Sequence, residues 1–179
     1  MAKAGDVLDI KVAGRIVFRQ TAADTSGELL EFDYFVPPHK ETGSEHLHPR
    51  QEERFEVVKG RMRGRLDGEE RTVDQGEAIV MPAGVQHFWW NDGDEEAQLL
   101  VDVRPALRTE EFYEVMAGVS VNQRGIPNPL HGSLVMMEYR DEFIPNRMRN
   151  PLMRWVVVPV LATVGKLFGY SARLGEGRR

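Results

Sequence analysis

Residues 43–60, with the sequence GSEHLHPRQEERFEVVKG, decide how this chain of 179 residues is interpreted. His46 and His48 are two residues apart, and two adjacent acids, Glu52 and Glu53, follow them. Alternate residues of a strand point to the same side, so both imidazoles can reach one inward point and a third ligand can follow from the next strand. Imidazoles combined with a carboxylate suit a divalent ion such as Fe, Mn, Ni, Co or Zn.

The two adjacent acids compete for the role of carboxylate ligand. In a strand that starts at Glu53, this residue shares its face with Phe55 and Val57, whose apolar side chains should point into the core. Glu52 then belongs to the bend before the strand. We therefore expect the inward carboxylate to be Glu53.

A second informative stretch is residues 76–91, with the sequence GEAIVMPAGVQHFWWN. It predicts a strand, a Pro-x-Gly turn and a second strand. The inward face of the second strand would carry Val85, His87 and Trp89. His87 can therefore be a fourth ligand, and Trp89 would place an aromatic wall inside the same cavity.

From about residue 7 to 104, apolar residues recur with a period of two, which is typical of half-buried strands. In residues 28–36, for example, Leu30 and Phe32 share a face that should point to the core. Turn residues separate the runs, and Asp67-Gly68 is the strongest hairpin signal. Many short strands without helices between them predict an antiparallel sandwich or closed barrel.

After Pro105 the period changes to that of helices. Apolar residues between 112 and 119 recur at spacings of three and four behind Thr109, which we expect to be the N-cap. A loop at 124–129 leads to a weaker helical pattern over 130–142. We therefore expect one helix packed on the barrel and a second helix after it.

The end of the chain predicts a third helix, with Asn150 as its N-cap and a kink at Pro159. Residues 147–179 carry seven basic side chains and one acid, so this part has a charge of +6 and the first 146 residues carry −11. The uncharged run 155–165 is too short for a membrane span, which needs about 20 residues. We favour packing of this helix on the barrel or at a dimer interface, with peripheral contact to an anionic membrane as the alternative.

The composition excludes several classes of protein. The net charge of −5 gives no electrostatic reason to expect nucleic-acid binding. Cysteine is absent, which excludes disulfides and thiolate catalysis and leaves nitrogen and oxygen ligands for a metal. Residues 1–15 contain no apolar stretch long enough for a signal peptide, so we expect a cytoplasmic location.

Together, the two stretches resemble the conserved motifs of the cupin superfamily. The second motif of that family, G-x5-P-x-G-x2-H-x3-N, is matched in full by Gly76, Pro82, Gly84, His87 and Asn91. The first, G-x5-H-x-H-x3–4-E-x6-G, is matched by His46, His48, Glu53 and Gly60. Its first glycine is the exception, because Gly43 lies three residues too close to the histidines. This departure is in the loop before the ligands and leaves them intact.

The resemblance implies an all-β core that forms an antiparallel jelly-roll barrel, followed by a C-terminal α-helical extension. We place the barrel at residues 1–106 and the extension at 107–179, packed on the barrel or at a dimer interface. The resemblance also implies frequent homodimers and one divalent metal ion, held by His46, His48, Glu53 and His87.

Four protein ligands leave an octahedral ion with two open positions, where water, dioxygen or a bidentate substrate could bind. We therefore expect an enzyme that acts on a small oxygenated or aromatic molecule, with dioxygenase-like chemistry as the most specific form. Phe55, Trp89 and Tyr34 are the expected pocket residues, although Tyr34 also suits the core. The alternative is a non-catalytic module that binds a metal or small ligand. A sugar isomerase or epimerase is a third hypothesis, weakened because no catalytic His–Asp or Tyr pair can be placed beside the ligands.

Overall fold

The computed structural model describes residues 2–10, 13–119 and 128–172. The strands are β1 (Val7–Asp9), β2 (Arg15–Gln20), β3 (Leu30–Val36), β4 (His46–Leu47), β5 (Glu52–Lys59), β6 (Arg61–Leu66), β7 (Glu69–Asp74), β8 (Ala78–Met81), β9 (His87–Trp90), β10 (Ala97–Arg104) and β11 (Ile144–Pro145). They form two antiparallel sheets with the orders β1-β2-β3-β10-β5-β8 and β11-β4-β9-β6-β7. The helices are α1 (Thr109–Gly118), α2 (Pro129–Glu138) and α3 (Val158–Leu167). The predicted antiparallel core with helices after it is confirmed.

The central strand β3 shows why the alternating pattern builds this core. Leu30, Phe32, Tyr34 and Val36 share one face, are buried and belong to the main hydrophobic cluster between the sheets. β3 pairs with β2 on one side and with β10 on the other. Asp33, on the opposite face, accepts hydrogen bonds from the guanidinium group of Arg19, with a shortest distance of 2.7 Å. One face of β3 is therefore core and the other carries paired polar groups.

The Asp67-Gly68 hairpin is also confirmed. Leu66 pairs with Glu69 across the β6–β7 ladder, so the connection has two residues. Both have positive φ, 52° at Asp67 and 82° at Gly68, as a type I′ turn requires.

Position 64 in β6 requires glycine, because the neighbouring strand β9 approaches its backbone closely. The indole of Trp89, from the neighbouring strand β9, lies over the backbone of Gly64. A Cβ atom at this position would be 2.3 Å from the Phe88 carbonyl oxygen and 2.3 Å from Cε3 of Trp89. Any side chain here would therefore displace β9 or the Trp89 ring.

The first two helices differ from their predicted ends. α1 begins at Thr109, so the N-cap residue is Arg108 and the prediction of Thr109 as the cap is wrong. The hydroxyl oxygen of Thr109 instead accepts a hydrogen bond from the buried Gln51 side chain at 2.7 Å. α2 has Asn128 as its N-cap and ends at Glu138, four residues before the predicted end. Most of the predicted loop 124–129 lies outside the described residues.

The third helix is capped and interrupted as its sequence indicates. The Asn150 side-chain oxygen accepts hydrogen bonds from the amides of Leu152 (2.9 Å) and Met153 (3.4 Å). A π-helical turn over Met153–Val157 then precedes α3. The cause is Pro159, which has no amide hydrogen to bond the carbonyl of Trp155 four residues earlier. The sequence predicts a kink at Pro159, and in the structure a π-helical turn ends two residues before this proline.

The helices share a second hydrophobic cluster of their own, made by Phe112, Val115, Val119, Leu134, Val135, Tyr139, Ala162 and Ala172. α3 approaches α2 closely, since a Cβ at Gly165 would be 3.0 Å from the Leu130 carbonyl oxygen. The same C-terminal part also supplies β11, which pairs with β4. The domain division at residue 106 stays a prediction, and the second sheet takes its edge strand from beyond it. Among the helices of the described residues, none is long and apolar enough to cross a membrane.

We expect Gly64→Ala to lower the free energy of unfolding by about 1–3 kcal/mol, because the methyl group would overlap Trp89 and the β9 backbone. Gly118→Ala is the matched control, since a Cβ there meets no atom of the described residues within 4 Å and alanine favours a helix. Urea denaturation of both variants measures the difference. Equal stability of the two variants would contradict the close approach.

Candidate metal centre

Both sheets contribute to a cluster of four polar side chains. His46 in β4 lies opposite His87 in β9, and His48 follows β4 directly. Glu53 reaches the three histidines from β5 in the other sheet. One ligand atom of each residue lies within 4.8 Å of all the others. The structure thus brings together the four residues that the sequence predicts, and it leaves Glu52 exposed and outside the cluster.

The tautomer of each imidazole follows from its hydrogen bond to the backbone. In all three rings Nδ1 faces a carbonyl oxygen, which can only accept, so Nδ1 carries the hydrogen. The pairs are His46 with Ser44 (2.7 Å), His48 with Glu142 (2.6 Å) and His87 with Val85 (3.1 Å). In the neutral rings, Nε2 is therefore left with a lone pair, which is the form that binds a metal.

Two of these Nε2 atoms are buried beside a carboxylate oxygen without a proper partner. In His48 and in His87, Nε2 is 3.2 Å from the same oxygen of Glu53. The contacts are not aligned as hydrogen bonds, and among the described residues neither buried nitrogen has a hydrogen-bond partner. Buried polar atoms are nearly always satisfied in native proteins. A cation between them would satisfy all three atoms, so the residues present fit a divalent metal.

The electrostatics of the cluster keep two ligands in the required protonation state. Burial would raise the pKa of Glu53, but its contacts with His48 and His87 hold that pKa well below its ordinary value. Burial lowers the pKa of His46 well below its ordinary value, and the other two histidines lower it further. Burial opposes protonation of His48, yet the adjacent Glu53 carboxylate raises its pKa. Glu53 is therefore anionic and His46 neutral.

Phe143 covers one side of the cluster, and sequence reasoning missed it. Its ring stacks on the imidazole of His46, with centroids 4.3 Å apart and planes at 26°. On its other side it stacks on Phe112 of α1, at 5.1 Å and 28°. The next residue, Ile144, starts β11 and pairs with Leu47 beside the ligands. The only sequence signal was a short apolar run after a weak helical pattern, and nothing local links it to His46.

Tyr113 of α1 is a second residue that the motifs did not indicate. Its ring meets Phe32 edge to face at 5.6 Å, and it is only partly buried. Burial raises its pKa well above the ordinary value, and the charges of Glu53 and Tyr34 add to this. The Tyr113 phenol therefore lies within electrostatic range of Glu53.

The three expected pocket residues lie in the core around the cluster. Phe55 and Trp89 make an edge-to-face contact with centroids 4.9 Å apart. The hydroxyl of Tyr34 lies 3.2 Å from each of two backbone carbonyl oxygens. All three side chains are buried, whereas His46 and Glu53 are partly exposed. A role of these aromatic residues in contacting a ligand stays a prediction.

Comparison with known proteins agrees with this fold. Residues 32–103 match the family model of the cupin domain. The polyketide synthase CurC of Streptomyces cyaneus is 39% identical over 62 residues, which are 35% of this chain and 40% of that protein. The chain therefore aligns with less than half of this relative.

Two solved structures share the fold at low sequence identity. One is an RmlC-like cupin from Shewanella frigidimarina, with a TM-score of 0.52 and 20% identity, covering 59% of this chain and 88% of that one. The other is a predicted oxalate decarboxylase from Thermotoga maritima, with a TM-score of 0.51 and 15% identity, covering 56% and 90%. At these identities the likeness concerns the fold alone.

We expect Phe143→Ala to destabilise the protein by about 1–3 kcal/mol, because the partly buried ring loses its stacking on His46 and Phe112. Phe168→Ala is the control, since this ring is 64% exposed and its loss should change stability by less than about 0.5 kcal/mol. Urea denaturation measures both. An equally small effect at the two positions would show that Phe143 contributes no packing energy.

Proposed function

We propose that this chain, whose residues 32–103 match the family model of the cupin domain, binds one divalent metal ion through the four-residue cluster and acts on a small molecule. The observation that supports this most is the pair of buried Nε2 atoms, in His48 and His87, that face one oxygen of Glu53 without a hydrogen-bond partner. Imidazole and carboxylate ligands suit Fe, Mn, Ni, Co or Zn. The absence of cysteine removes the competing thiolate sites.

Backbone contacts orient the three imidazoles of this site. Backbone carbonyls of Ser44, Val85 and Glu142 hold the three imidazoles in the tautomer that leaves Nε2 free. The Glu53 carboxylate supplies one of the two negative charges needed to balance a divalent ion. When bound, the metal would supply a Lewis acid with open positions for a substrate or dioxygen.

The form of the proposal that we favour is a dioxygenase-like reaction on a small oxygenated or aromatic molecule. Its support is the set of three histidines and one glutamate, of which His46 and Glu53 are partly exposed. Phe143 adds an aromatic ring beside His46, against which a planar molecule could pack. We retain the homodimer and the cytoplasmic location as predictions.

Two other functions stay open as proposals. A non-catalytic module for a metal or small ligand is supported by the lack of an acid–base pair within the two motifs. A sugar isomerase or epimerase is the third candidate, and the phenol of Tyr113, whose pKa is raised by burial and by the charge of Glu53, is the group that could exchange a proton with a sugar.

We expect the purified protein, reconstituted with Fe(II), Mn(II), Ni(II), Co(II) or Zn(II), to hold one metal ion per chain. His87→Ala and Glu53→Gln should abolish binding, because each removes a ligand from a buried site. His39→Ala is the control, since His39 is exposed and outside the cluster. Elemental analysis and calorimetric titration measure the metal, and a saturating ion should stabilise the fold by about 2.7 kcal/mol at a hundredfold excess over Kd. Unchanged metal content in His87→Ala would falsify the site.

We expect the iron-loaded protein to consume oxygen with at least one member of a panel of phenols and diketones, and Glu53→Gln to be inactive. An oxygen electrode and product analysis measure this. Bound metal without turnover on the panel would favour the binding module. Interconversion of sugars without oxygen uptake, lost in Tyr113→Phe, would favour the isomerase.

A further inference from the structure

The C-terminal helical segment, residues 146–168, exposes a large apolar surface. Packing on α2 uses one side of α3, where Ala162 and Gly165 are buried. The other side exposes large side chains, which we call the apolar face: Leu152 (61%), Trp155 (71%), Val156 (50%), Val160 (56%), Leu167 (83%) and Phe168 (64%). A helix of a globular protein normally turns its apolar residues to the core. A contiguous exposed set of this kind marks an interaction surface.

The apolar face is one continuous stripe. In α3, Val160 and Leu167 are seven residues apart, which places their side chains on the same side of the helix, and Leu152 and Val156 are exposed before and within the π-helical turn. Trp155 extends the stripe near its start and Phe168 extends it at its end. The face therefore runs along the whole segment.

The charges around the apolar face are basic. Arg147, Arg149, Arg154 and Lys166 lie in this segment, and the sequence has no acid between Glu142 and Glu176. The guanidinium group of Arg154 lies 5.2 Å from the centre of the Trp155 ring, so basic and apolar groups are adjacent. Two such faces packed against each other would bring like charges together. An anionic partner with an apolar interior matches both properties.

A groove beside the apolar face is also lined by apolar side chains and one basic residue. It has a volume of about 240 Å³ and lies between α2 and the segment that leads into α3. Methionine side chains line it, those of Met136, Met148 and Met153, and Arg147 is its charged residue. Flexible thioether side chains adapt to irregular apolar ligands. A groove of this kind could accept part of an acyl chain next to its phosphate.

We propose that the apolar face binds the surface of an anionic phospholipid membrane, with its apolar side chains among the acyl chains and its basic residues at the phosphates. The helix lies in the plane of the interface, as amphipathic helices with one basic and one aromatic or aliphatic side do. Trp155 is 71% exposed, and in this orientation it would lie at the boundary between headgroups and acyl chains, where tryptophan is enriched in membrane proteins. This inference is independent of the proposed metal chemistry.

The test uses the full chain and vesicles of phosphatidylcholine, with or without phosphatidylglycerol. The protein should sediment with the anionic vesicles and not with the neutral ones, and binding should weaken at high salt, because mobile ions screen the basic residues. Emission from Trp155 should shift to the blue on binding. Trp155→Phe should abolish this shift and keep most of the binding.

Two pairs of substitutions separate the apolar and the basic contributions. Leu152→Ser with Leu167→Ser, and Arg154→Glu with Lys166→Glu, should each weaken binding about tenfold or more. Val7→Ser is the control, because Val7 is 65% exposed in β1, outside the C-terminal helical segment, and should leave binding unchanged. Circular dichroism verifies that the variants are folded. The vesicle comparison and the tryptophan shift of the unmodified chain test the proposal even if a variant does not fold.

Failure of the unmodified chain to bind anionic vesicles would overturn the proposal, and so would equal binding to neutral ones. Analytical ultracentrifugation tests the other occupant, a second copy of this chain. A dimer that Leu152→Ser with Leu167→Ser converts to a monomer, without vesicle binding, would assign the apolar face to self-association and overturn the membrane proposal.

Discussion

The convergence of three imidazoles and one carboxylate between two sheets is the constraint around which the structure is organised. Two Nε2 atoms, in His48 and His87, are buried without a hydrogen-bond partner. An unsatisfied buried polar atom costs about 1–3 kcal/mol. The main hydrophobic cluster on the facing sides of the sheets must offset this cost when no ion is present. A bound cation would turn the same unsatisfied atoms into a stabilising interaction.

The C-terminal extension takes part in this site as well as in its own core. Glu142 holds the ring of His48 through its carbonyl oxygen, and Phe143 lies on the ring of His46. The stack continues through Phe112 to the aromatic residues between the helices. One side of the extension therefore orients metal ligands, while α3 leaves its other side exposed. The proposed metal site and the proposed membrane surface therefore border the same helical extension.

Much of the β core could be predicted because strand formation depends on local alternation. The buried face of β3 and the turn at Asp67-Gly68 follow from the period of two and from backbone angles that glycine and aspartate tolerate. The start of α1 could not be predicted in the same way. Threonine is a favoured N-cap residue. The hydroxyl of Thr109 instead accepts a hydrogen bond from the side chain of Gln51, which is distant in sequence, and α1 begins at Thr109, one residue earlier than predicted.

The sequence by itself determined the cluster of His46, His48, Glu53 and His87, because side chains two apart on a strand share a face and Glu53 aligns with the apolar Phe55 and Val57. Only the tertiary structure decided what surrounds that cluster. Phe143 and the carbonyl of Glu142 reach the histidines through the pairing of β11 with β4, across 94 residues between His48 and Glu142. No local period encodes such a contact, because it depends on where α1 and α2 return the chain.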